Sequence, residues 1–194
     1  MQKETPVIPT KSAFAAAAAV AALLASVQAS AQSPDPVFAA FAAVCGQPAG
    51  EFTAIQSAAD AHGWAATDVK DDPNMPNVVI AEQITRASTV GKIGLVMNAW
   101  HGATKSGVKV SGCTVHVAAA DFGGMRDAAG AWLTFTPQES TAKKAIYRFT
   151  NAAGAHHALA ASEYDAAAAA SGMQILTVSG DADGTVLDLI MIKK

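Results

Sequence analysis

The chain has 194 residues, 51% of them hydrophobic, and a formal net charge of −3. Its thirteen Lys and Arg are scattered, with no arginine-rich stripe, which argues against a nucleic-acid surface. Beyond residue 31 no segment is apolar for the ~18 consecutive residues that a membrane helix needs, which argues against a membrane-embedded body.

The first segment, "MQKETPVIPTK", sets Lys3 and Lys11 against Glu4. An uncharged apolar run from Ala13 to Val27 follows, then Ala29-Ser30-Ala31, a small-x-small cleavage site. This is the order of a secretory signal. The run is short for a membrane span of about 20 residues, and no cysteine follows closely to take a lipid. The expectation is a signal over 1–31, with a cut after Ala29 as the alternative, and one domain over 32–194 in a periplasmic or secreted location. Residues 32–194 keep eleven basic and fifteen acidic side chains, a net charge of about −4.

"SPDPVFAAFAAVCG" predicts the first helix, with Ser33 or Asp35 as cap and Pro36 in the first turn. Phe38, Phe41 and Cys45 share one face. "GEFTAIQSAADAHGW" predicts a second helix that buries Phe52, Ile55, Ala59 and His62 and stops at Gly63. Residues 67–77 are a polar loop. "VVIAEQITRAST" is ambiguous: Val78–Ile80 suits a strand, whereas Ile84 continues a helical spacing.

"KIGLVMNAWHG" and "VKVSGCTVHVA" predict two strands joined by "ATKSG". The second changes phase, because Val108 and Val110 alternate one way and Cys113, Val115 and Val117 the other. A bulge at Ser111-Gly112 reconciles them; burial on both faces is the alternative. Asp121 caps a helix with Phe122, Met125, Ala129 and Trp132 on one side. "KAIYRFTNAAGAHHALA" predicts a hairpin. "SEYDAAAAASG" is a short helix with Ser162 and Asp165 as a capping box, ended by Gly172. "MQILTVSGDADGTVLDLIMIKK" closes the chain as another hairpin.

The expected class is α+β. Two N-terminal helices precede a roughly six-stranded antiparallel or mixed sheet in ββαββαββ order, with helices on one face. A weak internal echo places His116 five residues before Asp121 and His157 five before Ser162.

Cys45 and Cys113 are the only cysteines, and an oxidising compartment favours their pairing. A thiolate attacking an acyl carbon would need a histidine base, but His116 is three positions on and faces the other way in a regular strand. There is no C-x-x-C pair. Five histidines are available, His62, His101, His116, His156 and His157, without a recognisable metal-ligand spacing.

"STAK", Ser140–Lys143, matches a serine-x-x-lysine arrangement, but its companion elements are reversed or missing. "DADGTVLD" lacks the glycine and glutamate positions of a calcium loop and suits a hairpin turn. No catalytic, cofactor-binding or metal residues are assigned, and no cofactor is expected. Trp100, His101, His116 and His157, at predicted strands or strand ends, are the weak site candidates, with Trp100 expected at the surface. The functional expectation is an exported binding or accessory protein whose partner is a small molecule or another protein. The alternatives are an exported hydrolase with a histidine-containing site, or a metal-binding protein.

Overall fold

The computed structural model describes residues 35–68, 75–152, 154–180 and 182–194. The expected signal over 1–31, and Ser33 as a cap, lie outside these residues.

Helix α1, Pro36–Phe41, starts at Asp35, whose carboxylate accepts from the N–H groups of Val37 at 2.8 Å and Phe38 at 3.1 Å. That satisfies two of the donors a helix start leaves open. The helix continues into a π-helical turn, Ala42–Gly46, so that Phe38, Phe41, Val44 and Cys45 are all buried. Helix α2, Phe52–Ala61, buries Phe52, Ile55 and Ala59. His62, expected on that face, is instead the exposed C-terminal cap, and Gly63 follows at φ 72°.

The strands are β1 (Ala65–Ala66), β2 (Val78–Val90), β3 (Ile93–Thr104), β4 (Lys109–Ala118), β5 (Glu139–Ser140), β6 (Lys144–Ala152), β7 (Ala155–Ala158), β8 (Met173–Gly180) and β9 (Gly184–Lys193). Helix α3, Phe122–Leu133, separates β4 from β5. A 3-10 turn, Ala161–Glu163, and helix α4, Tyr164–Ala170, separate β7 from β8.

The nine strands of the described residues form one antiparallel sheet in the order β1-β2-β3-β4-β9-β8-β6-β5, with β7 also on β6. The six expected strands are β3, β4, β6, β7, β8 and β9. The expected order omitted β2 and the two short strands. Strand β2 is bulged between Ile80 and Glu82, and it buries no residue fully. Its apolar pattern therefore has no steady period of two. Two three-strand groups, β2-β3-β4 and β6-β8-β9, lie side by side, joined where β4 pairs β9 from Lys109↔Lys193 to Ala118↔Gly184. The echo read around His116 and His157 is not this relation. His116 lies within central strand β4 and His157 in the short strand β7.

The main core lies between one sheet face and α1, the π turn, α2 and α3. Met97, Val115, Leu176 and Leu189 from four strands meet Phe41, Ile55 and Leu133 from the helices. Helix α4 corrects the expectation of helices on one face. Ala168 packs with Met173 and Leu159 in a separate cluster that includes Ile175 and Ile192. Ile175 alternates along β8 with the core residue Leu176 and the buried Gln174, so this cluster is on the opposite face. The expected capping box is also replaced. The Glu163 carboxylate accepts from the Ala160 N–H at 2.7 Å, and Asp165 pairs with Lys194.

Strand β4 has no bulge at Ser111-Gly112. Its register runs unbroken against both β3 and β9, and Val110–Cys113 are buried in succession. A disulfide joins Cys113 to Cys45, with Cα atoms 5.6 Å apart. It fastens the π turn to the centre of the sheet.

Candidate ligand cleft

The β2 bulge shapes one end of the sheet. A Cβ on Gly102 would stand 2.2 Å from the Val79 carbonyl oxygen, so the bulged strand can approach only because residue 102 has no side chain. The bulge brings Glu82 opposite His101. The register then continues through Ser111 on β4, Met191 on β9 and Gln174 on β8. Nearer the sheet end a second row runs Val79, Ala103, Lys109, Lys193. Residues opposite one another in an antiparallel register share a face.

Facing these rows is the first turn of α2, held by the turn before it. Ala49 and Gly50 both have positive φ, 54° and 80°. The Ser111 hydroxyl donates to the Gly50 carbonyl at 2.6 Å, and Gln174 Nε2 donates to the Ala49 carbonyl at 3.1 Å. Two buried polar residues of the sheet thus fix where α2 begins.

Between the helix turn and the strands lies a cleft of about 1010 Å³. Phe52, Val79 and Met191 supply apolar lining; Glu82, His101, Lys109 and Lys193 supply charge or hydrogen bonding. The rings of Phe52 and His101 have centroids 4.7 Å apart, and His101 Nε2 is 3.6 Å from Glu82 Oε2. Val79 is 67% exposed, the single large hydrophobic side chain so exposed among the described residues. No family model, curated protein or solved structure matches this chain.

Glu82, His101 and Ser111 stand in the order of an acid, a base and a nucleophile, but the hydrogen bonding differs from that of a catalytic set. The imidazole Nε2 faces Glu82, while the Ser111 proton goes to the Gly50 carbonyl. Ser111 is 5% exposed, and its hydroxyl serves the turn.

A second cleft of about 600 Å³ is lined by Arg126, Asp127, Phe135, Ser140 and Tyr147. Its Arg126, Asp127 and Tyr147 side chains already have partners. Arg126 pairs with Asp127 at 2.8 Å, and the Tyr147 hydroxyl donates to the Arg126 carbonyl at 2.9 Å. Burial pushes the Tyr147 phenol above its ordinary pKa.

The other residues singled out from the sequence disperse. Trp100, expected as a surface residue at a strand end, is 2% exposed within β3, because its indole fills the space over Gly112. His116 is opposite Val96, and His157 opposite Thr150. Among the described residues no three His, Cys, Asp or Glu gather where they would hold a metal ion. His101 alone of the four candidates lines the cleft. Lys109 and Lys193 are not marked as site residues by the sequence, Phe52 reads there only as a buried helix residue, and Glu82 is a candidate acid by residue type alone. Their meeting depends on strand register and on a bulge, which a single sequence does not display.

Proposed function

We propose that this protein is an exported binding protein that holds a small molecule in the cleft between the first turn of α2 and the ends of β2, β3, β4 and β9. The cleft carries the reading. Its volume is that of small-molecule sites, and it combines an apolar lining with a few converging polar groups. The exposed Val79 lies at this place, where a ligand would cover it. Export is supported by the basic start, apolar run and small-x-small site of residues 1–31, and by a disulfide, which suits an oxidising compartment.

Native mass spectrometry of protein recovered from the exported fraction tests both parts. The expected species begins between Ser30 and Gln32, lacks two hydrogens for the disulfide, and carries a small molecule released on denaturation. Thr53→Trp, at an exposed position on the cleft wall, is expected to fill the site and remove the adduct while the fold persists. An unprocessed chain confined to the cytoplasm would defeat the address. An adduct retained by Thr53→Trp, or no adduct on the parent, would defeat the site.

A further inference from the structure

The two lysines at the sheet end point to the chemistry of the ligand. Lys109 and Lys193 are directly opposite one another on β4 and β9. They share a face with Ser111 and Met191, two residues further along the same strands, and both line the cleft. Like charges directly opposite on one face are unfavourable. Neither lysine has an ion pair among the described residues, whereas the neighbouring Lys194 is engaged with Asp165.

The opposite wall adds a second source of positive potential. The first turn of the ten-residue helix α2 borders the cleft, and no side chain caps its open N–H groups. Of the two acids on the lining, Glu82 faces His101 and Glu51 is exposed at the helix start. The same lining holds the apolar side chains of Phe52, Val79 and Met191.

We infer that the cleft takes a small amphiphilic monoanion, an apolar body ending in a carboxylate, with the carboxylate between Lys109 and Lys193 and the body against Phe52, Val79 and Met191. This rests on the cleft being the ligand site. An anion between the lysines relieves their mutual repulsion and forms charge-assisted hydrogen bonds. A neutral ligand of the same length leaves the repulsion in place.

Calorimetric titration of the protein with octanoate and with 1-octanol, at neutral pH and low salt, separates head from body. Octanoate is expected to bind at least about tenfold more tightly than 1-octanol. That advantage is expected to shrink at high salt. In Lys109→Gln/Lys193→Gln the advantage of octanoate over 1-octanol is expected to vanish. Both substitutions are at exposed positions, and circular dichroism verifies the fold. Equal or tighter binding of 1-octanol would overturn the carboxylate inference and leave the cleft as a site for a neutral ligand. Binding of neither probe would also overturn it, and the native adduct would then decide separately whether the cleft binds anything. An octanoate preference that survives both substitutions would place the head group elsewhere.

Discussion

The indole of Trp100 occupies the position that a side chain at residue 112 would need: a Cβ built on Gly112 would stand 2.5 Å from Trp100 Cε2. The two residues are opposite one another on β3 and β4, at the middle of the sheet. The pairing accounts for a 2% exposed tryptophan in a strand, and for a strand that changes apparent phase without a bulge. Gly112→Val is expected to cost about 1–3 kcal/mol through overpacking. Replacing Trp100 by Leu makes room, so the valine is expected to cost less in that background. Urea melts of the two single variants and the double variant measure the coupling. Additive costs would show that the indole does not occupy this space in solution.

The Cys45–Cys113 bridge spans a sequence separation of 68 residues between the π turn and central strand β4. Closing such a loop restricts the unfolded chain, by about 4 kcal/mol in the loop-entropy model. The Cys45→Ala/Cys113→Ala variant is expected to lose that amount in denaturant unfolding. A thiol-alkylating reagent is expected to leave the folded parent unmodified until reductant is added. Modification of the folded parent without reductant would contradict the bridge.

The sequence shows these elements unevenly. Helices α1, α2 and α3 were legible because apolar residues recur at helical spacing and Asp35 and Asp121 sit where caps belong. Strand pairs β3–β4 and β8–β9 were legible from β-branched runs around short turns. Strand β2 was not, since its bulge and half-exposed side chains remove the alternation that marks a strand. The short helix α4 was visible, but its side of the sheet was not. A run of alanines fits either face, and the choice depends on Met173, Ile175 and Ile192 meeting it. The cleft follows the same division. His101 was visible as a residue, whereas its neighbours Glu82 and Ser111 are set by register.

Ser111 separates a binding cleft from a hydrolytic one. Its hydroxyl proton is committed to the Gly50 carbonyl, so Ser111→Ala is expected to destabilise the fold by about 1–3 kcal/mol by leaving a buried acceptor unpaired. A fluorophosphonate probe, which marks activated serines, is expected not to label the parent. Labelling at Ser111, lost in His101→Gln, would replace the binding reading with the hydrolase alternative.

His156 makes stability depend on pH in a defined direction. Its ring lies 4.3 Å from the Trp132 ring and 5.3 Å from the Phe149 ring, centroid to centroid. Burial among them pushes the imidazole below its ordinary pKa. A hydrogen bond with the Trp132 backbone works the other way, and neighbouring His157 reinforces the decrease. A base whose folded pKa is depressed takes its proton more readily in the unfolded chain. Its neutral form therefore costs the fold nothing above the unfolded value, about 6.5. As pH falls through that value the unfolded chain gains the proton first. Stability then declines, and this contribution levels off once the folded imidazole is protonated too. Urea midpoints measured at about pH 7.5, 6.5 and 5.5 are expected to fall for the parent and for His157→Gln. In His156→Phe, which keeps a ring against Trp132, the fall over that interval is expected to be smaller. An equal fall in His156→Phe would assign the acid sensitivity to other groups, and a midpoint that rises on acidification would reverse the sign of the linkage.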